Sequence, residues 1–314
     1  MKILITGVHG FVGSNLVKYL ANKNEIFGLD IIAPERDGVI KTYSWDDLDA
    51  DQVSEVDAII HLAGKAHDTK NEAAADVYFK VNTDLTKKIF NYFLAHDSIK
   101  KFVFFSTAKA AADKVDGILT EDVVPAPVGP YGMSKIAAER YLLSKMEDVR
   151  GKSKDVYIFR PCMIHGPGNK GNLNLLYGVV RKGIPWPLGA FENRRTFTSI
   201  ENICFAVNGV LTKDVPSGIY NMGDDEALST NELIEEICKS LGKKAHIWKL
   251  PKGLMNGVAK IGGALHLPLD SKRLRKLTEN YISSNAKIKK ALGVEKMPVD
   301  AREGLKVTLK SFAK

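Results

Sequence analysis

The sequence predicts an α/β fold, a doubly wound parallel sheet followed by a smaller mixed lobe toward the C-terminus. Three observations predict it. In the first half, short apolar runs of strand length alternate with amphipathic stretches of helix length, the order of a parallel sheet covered on both faces. Gly7, Gly10 and Gly13 fall between the first such run and the first helix. After Arg160-Pro161 the composition shifts to Gly, Pro and Asn, and helical patterns then dominate.

Taken in order, residues 2–6 read as a buried first strand. Thr6-Gly7-Val8-His9-Gly10-Phe11-Val12-Gly13 follows, and Phe11, Val12, Leu16 and Leu20 recur at helical spacing over 11–22. Gly7 allows a tight turn, Gly10 lets a ligand approach the backbone, and Gly13 lets the helix pack closely on the strand. A pyrophosphate sits on the free N–H groups of such a helix N-terminus, here beginning at Phe11 and Val12. Residues 25–30 read as the second strand, ending in Asp30, 17 residues after Gly13. An acid at that tip hydrogen-bonds the adenosine ribose and repels a 2′-phosphate, and no Arg follows until Arg36, which favours NAD over NADP. A third strand, 57–62, ends in small residues, so that Leu62, Ala63 and Gly64 can lie flat against a dinucleotide. Residues 64–80 are polar and mixed, an expected active-site loop. Helices at 82–96 and 131–147 and strands at 101–106 and 155–160 complete this half. Residues 162–196 read as a loop-built pocket. Helices are expected at 199–211, 229–241, 252–264, 284–292 and 300–313, with a strand at 218–222 rejoining the sheet.

A chain of 314 residues suits one large α/β domain or a domain with a lobe. There is no run of 18 apolar residues, so no transmembrane helix is expected. The N-terminal apolar run reads as the first strand rather than a signal peptide. Three scattered cysteines, without metal-ligand spacing, imply a reduced cytoplasmic setting and no metal. A net charge of +8 suits an anionic small substrate, an anionic membrane surface or nucleic acid. Lys243-Lys244, Lys272 to Lys276 and Lys287 to Lys290 read as solvated basic faces. With no zinc-finger spacing, aromatic nucleic-acid signature or low-complexity tail, neither nucleic acid nor a membrane is the expected partner.

Tyr131-Gly-Met-Ser-Lys135 opens a helix whose outer residues are taken to include Glu139 and Arg140. Positions i and i+4 share a helix face, which sets the Lys135 ammonium beside the Tyr131 phenol. A cation there favours the phenolate, and the pair can exchange a proton with a hydroxyl or carbonyl oxygen. Ser106-Thr107 ends the strand 101–106, where a hydroxyl can hydrogen-bond the reacting oxygen. These groups fall at the C-terminal ends of parallel strands, the ligand edge of open α/β sheets.

On these residues the chain resembles the extended short-chain dehydrogenase/reductase family, in its NAD-dependent sugar-nucleotide epimerase/dehydratase branch, over nearly its whole length. The residues that carry the resemblance are Thr6-Gly7-x-x-Gly10-Phe11-x-Gly13, Asp30, His61-Leu62-Ala63, Asn82, Ser106-Thr107, Tyr131-x-x-x-Lys135 and Arg160-Pro161. His165-Gly166-Pro167-Gly168 is similar to the family's Tyr-Gly-Pro-Gly, and Arg195-x-Phe197-x-x-Ile200-x-Asn202 to its Arg-Asp-Tyr-x-x-Val-x-Asp segment.

The resemblance implies a Rossmann-type domain over 1–161, with 197–222 returning to it, and a substrate-binding lobe from 162–196 and 223–314. It implies Tyr131 as acid/base, Lys135 orienting NAD, and a polarising hydroxyl. Thr107, 24 residues before Tyr131, is favoured over Ser106 for that hydroxyl. The implied cofactor contacts are Gly7, Gly10, Phe11, Val12, Asp30, Leu62, Ala63, Tyr131, Lys135 and Pro161. The implied substrate contacts are Ser106, Asn172 and Arg195, the last on the diphosphate, with Arg273 a second candidate. Trp186 and Phe191 could flank uracil, and Asp47-Leu48 is the best match to the pair that brackets adenine. A homodimer through helices 82–96 and 131–147 is also implied.

The family's dehydratases carry Asp-Glu just after the catalytic Thr, where this chain has Ala108 and Lys109. That argues against 4,6-dehydration, and Lys109 could contact a diphosphate or an acyl group. The expected activity is C4 epimerisation of a UDP-sugar, such as a UDP-N-acetylhexosamine, through a transient 4-keto sugar. The alternatives are an NAD(P)H-dependent 4-keto sugar-nucleotide reductase and a non-catalytic NAD-sensing protein.

Overall fold

The computed structural model describes residues 1–53, 55–66, 74–149, 153–169, 171–264 and 270–312. In chain order the strands are β1 (Lys2–Thr6), β2 (Glu25–Leu29), β3 (Lys41–Tyr43), β4 (Ala58–His61), β5 (Lys101–Phe105), β6 (Ile118–Leu119), β7 (Asp155–Pro161), β8 (Met163–His165), β9 (Arg195–Ser199), β10 (Gly218–Met222), β11 (Ala227–Leu228) and β12 (Ile282–Ser283). Seven of them form one parallel sheet in the order β10-β7-β5-β4-β1-β2-β3. The strand order reverses between β1 and β4, and the carboxyl ends there form the crevice in which such sheets bind ligands. A second sheet, β11-β9-β8, and a β12-β6 pair build the smaller mixed part.

The apolar runs form strands because both faces of the sheet are covered. Ile3 and Ile5 pack with Phe105, Phe159 and Val207 on one face, and Leu4 with Phe90, Phe102 and Phe104 on the other. The alternation follows from the two-residue period of a strand. A third core, under the C-terminal lobe, gathers Leu173, Tyr177, Phe197, Leu233 and Leu305. Local signals set the helix starts. Pro130 stands at the first positions of helix Pro130–Ser144, where a missing N–H is harmless. Ser229 and Glu232 form a capping box on helix Thr230–Ser240.

The structure departs from the sequence reading in several places. Residues 162–196 are not all loop, since they also hold β8, helix Asn172–Arg181 and the start of β9. That helix buries Leu173, Tyr177 and Val180, an i, i+4, i+7 set hidden among Gly and Asn. The helix expected at 82–96 is helix Leu85–Ala95, entered through helix Ala75–Phe79 and a π-helical turn at Lys80–Asp84. Of the loop expected at 64–80, residues 67–73 lie outside the described residues, and 75–80 are helical. Among the described residues, no helix is long and apolar enough to cross a membrane.

Candidate active site

The glycine turn is packed too tightly for side chains. Gly7 sits at φ +69°, in the left-handed region, and a Cβ on it would stand 3.0 Å from the Ala63 nitrogen. A Cβ on Gly13 would meet the Gly7 carbonyl at 2.5 Å. Gly10 caps helix Phe11–Leu20 with no side-chain hydrogen bond, so the first-turn amides, starting with Phe11 and Val12, face outward. Asp30 closes the turn at the tip of β2. Its carboxylate accepts the His9 amide at 3.1 Å and the Ile31 amide at 2.8 Å. The Gly166-Pro167-Gly168 loop leans on the same helix, with Asn15 donating to the Pro167 carbonyl at 3.3 Å. Pro161, at the end of β7, pairs in register with Met222.

A buried polar chain joins this turn to the opposite edge of the cleft. Thr6 Oγ1 accepts the Leu62 and Ala63 amides at 3.1 and 3.0 Å. With both lone pairs occupied, its hydroxyl hydrogen goes to His61 Nδ1, 2.7 Å away. His61 therefore carries its proton on Nε2 and donates it to Thr86 Oγ1 at 2.9 Å, and Thr86 donates to the Asn82 carbonyl at 2.7 Å. Burial holds the imidazole pKa well below its ordinary value, so the ring stays neutral. Asn82, in the π-helical turn, ties the Lys65 backbone through both amide atoms and donates to Ser134 Oγ at 3.0 Å.

Ser106 and Thr107 follow β5 with opposite orientations. Ser106 is turned into the protein, its hydroxyl donating to Glu139 Oε1 in a short contact, so the expected substrate contact at Ser106 is corrected. Thr107 caps the short helix Ala108–Ala111, its hydroxyl accepting the Lys109 amide at 3.3 Å, and its side chain lies near enough to the Tyr131 phenol to favour the phenolate. Glu139 is fully buried, not on the outer face. It takes Arg160 Nε at 3.0 Å and Nη2 at 2.5 Å, two buried charges in a fork.

Lys135 donates to the Phe105 carbonyl at 2.8 Å. Desolvation lowers its pKa to about 8, against the opposing pull of Glu139. Tyr131 does not show the depressed phenol expected from a neighbouring cation. Burial pushes its pKa up, and the Thr107 side chain works the other way. Tyr131 and the buried Lys135 share one face of helix Pro130–Ser144, and Thr107 stands at the end of β5 within electrostatic reach of the phenol.

On the lobe side, Arg195 opens β9 half-buried, with Cys162 and Tyr281 among its electrostatic neighbours. Arg194 points the other way, donating to the Ala227 carbonyl at 3.0 Å, as alternation in a strand requires. The Tyr281 hydroxyl donates to the Ala112 carbonyl, and Lys109 Nζ lies 4.6 Å from the Tyr281 ring centre, so Lys109 and Arg195 approach the same aromatic residue. Asn172 is exposed at the start of helix Asn172–Arg181.

Other candidates are displaced by packing. Trp186 and Phe191 belong to the third core, and Leu48 lies in the core of the main sheet while Asp47 caps its own helix. His165 is buried against Thr308 and Asp224. The Arg273 side chain lies outside the described residues.

An uncapped helix end, a glycine turn too tight for any Cβ, and an acid at the β2 tip fit a dinucleotide. Residues 3–223 match the model of the NAD dependent epimerase/dehydratase family. The chain belongs to this family. NAD is accordingly its cofactor, and the protein is an NAD-dependent enzyme. A UDP-glucose 4-epimerase of Vibrio cholerae is 32% identical, over 99% of this chain and 95% of that protein. A dTDP-4-dehydro-6-deoxyglucose reductase of Escherichia coli is 26% identical, over 78% of this chain and 83% of that protein. The solved structure of MoeE5 in complex with UDP-glucuronic acid and NAD superposes with a TM-score of 0.77 at 21% identity, covering 100% of this chain and 99% of that one, and so shares the fold.

Proposed function

We propose that this enzyme epimerises C4 of a UDP-sugar, a UDP-hexose or UDP-N-acetylhexosamine, through a transient 4-keto sugar. The observation that carries the reading is the placement of Tyr131 and the buried Lys135 on one face of helix Pro130–Ser144, with Thr107 at the adjacent end of β5. Such a site can take one proton from a sugar hydroxyl and give it back. The next two positions, Ala108 and Lys109, lack the adjacent acids that dehydration uses.

NAD held along the glycine turn supplies the acceptor for the C4 hydride. Tyr131 receives the O4 proton, and Thr107 hydrogen-bonds the same oxygen and the phenol. Lys135 holds positive charge near the phenol that develops negative charge. Once the keto sugar had turned over in the site, Tyr131 would return the proton to O4. Arg195, with Lys109 across Tyr281, offers cations for the diphosphate. Asp30 takes the adenosine ribose hydroxyls. Residues 1–161 with 197–222 serve the cofactor in this reading, and 162–196 with 223–314 the substrate. Two copies pair through helices Leu85–Ala95 and Pro130–Ser144, the second of which carries exposed Met133 and Leu143.

A 4-keto sugar-nucleotide reductase would use the same residues, and the Escherichia coli relative bears such a name. Incubation with a panel of UDP- and dTDP-sugars, with NMR of the products and absorbance of the reduced nicotinamide, separates the two. A C4 epimer without net change in cofactor supports the epimerase. Stoichiometric oxidation of reduced cofactor replaces it with the reductase. Absence of turnover with every sugar nucleotide leaves an NAD-sensing protein.

A further inference from the structure

The charge of the chain is concentrated in one stretch. Residues 242–278 hold nine of the 45 Lys and Arg and one of the 37 Asp and Glu. The rest of the chain then has 36 of each sign, so the whole formal charge of +8 resides in this stretch. No Asp or Glu occurs from 242 to 269.

The same stretch exposes apolar side chains in a pattern. Helix Lys252–Ala264 sits on the lobe through Met255 and Ala259, both buried. Leu254, Val258 and Ile261, at i, i+4 and i+7, form a second stripe that is 55%, 44% and 61% exposed. A solvent-facing helix surface ordinarily carries polar and charged residues. Trp248, 54% exposed, precedes the helix, its amide donating to the Trp186 carbonyl at 2.8 Å. Lys249, Lys252 and Lys260 are exposed around these residues.

We propose that this face docks on an anionic phospholipid surface. The stripe and Trp248 enter the boundary between headgroups and acyl chains, and the lysines meet the lipid phosphates. Charge complementarity selects this occupant. A second copy docking face to face would oppose two strongly basic surfaces. A polyanion without an apolar phase would leave the Leu254, Val258 and Ile261 stripe in water. The inference stands independently of the substrate and departs from the expectation of no membrane partner.

The test is co-sedimentation of the full chain with sucrose-loaded vesicles. One set contains phosphatidylcholine alone, the other about equal parts phosphatidylglycerol and phosphatidylcholine. The protein should pellet only with the anionic set, and raising salt to about 0.5 M should weaken binding by at least about tenfold. Trp248 emission should shift to the blue on binding, with the shift absent in Trp248→Phe. Leu254→Ser/Val258→Ser/Ile261→Ser should lose at least about tenfold in vesicle affinity while keeping native thermal unfolding. If that variant does not fold, Lys249→Gln/Lys252→Gln/Lys260→Gln carries the test and should lose a comparable factor. Equal binding to both vesicle sets, binding to neither, or unchanged affinity in the folded variants would overturn the proposal. So would a concentration-dependent dimer of the native chain that the apolar variant abolishes, which would assign the face to a second copy.

Discussion

The two walls of the cleft are built differently. On the sheet wall, Thr6, His61, Asn82, Ser134, Lys135, Glu139 and Arg160 are all buried and all hydrogen-bonded to one another or to backbone. On the lobe wall, Asn172 is exposed, Arg194 faces away, and Arg195 approaches Tyr281, which Lys109 reaches from the sheet side. The difference teaches where each task is placed. The polar groups beneath the proposed proton-transfer residues are held by several partners, which fixes the frame that carries them. Groups that would meet the unreacting part of a substrate sit on a wall whose residues can vary without disturbing the first.

The comparison predicts larger losses on the sheet wall. Tyr131→Phe should lower kcat by at least about a hundredfold with cofactor affinity nearly unchanged, since only the proton-carrying oxygen is removed. Near-native turnover would sink the assignment. Glu139→Ala should destabilise the fold by about 3–5 kcal/mol in denaturant unfolding, because it strands the Arg160 guanidinium in the core. Glu139→Gln keeps the shape and should cost less. Equal stability of all three proteins would mean that the pair is not buried as described.

Lys135 sharpens the contrast through pH. Its folded pKa is lowered to about 8 from the ordinary 10.5, so above pH 8 the unfolded chain binds more protons than the folded one. Stability from this group therefore rises with pH between about 8 and 10.5. Against Lys135→Met, which has nothing to titrate there, the native protein should gain roughly 2–3 kcal/mol across that window. A flat difference would place the ammonium in water. On the lobe wall, Arg195→Ala should raise KM for a UDP-sugar by about tenfold and leave kcat largely intact, because the diphosphate does not react. A comparable fall in kcat would move Arg195 to the reacting side and erase the distinction between the walls.

The main sheet was legible because its strands are uninterrupted apolar runs, as in Ile3-Leu4-Ile5 and Phe102 to Phe105. Spacing sets Tyr131 and Lys135 on one helix face, but their roles, and the preference for Thr107, came from the resemblance to the family rather than from spacing. β3 was missed because three residues are too few to show a period. Helix Asn172–Arg181 was missed because its flanks read as loop. The opposed fates of Ser106 and Thr107 depend on which way each side chain leaves the strand, which adjacent hydroxyls do not reveal. Glu139 lies 21 residues from Arg160, and the available sign was a carboxylate set among Ile136, Ala138 and Leu142 on a buried helix face. The lobe wall leaves fewer signals, since Trp186 and Phe191 look alike in sequence whether they stack on a base or fill a core.

The single tautomer of His61 makes it an internal reporter. Its Nδ1 accepts from the residue that holds the Leu62 and Ala63 amides against the glycine turn, and its Nε2 donates toward Asn82. The two ring nitrogens have distinct 15N chemical shifts, and neither is accessible to bulk water. An imidazole labelled with 15N would therefore register strain at the turn on one nitrogen and movement of the π-helical segment on the other, in one spectrum and without a probe in the cleft.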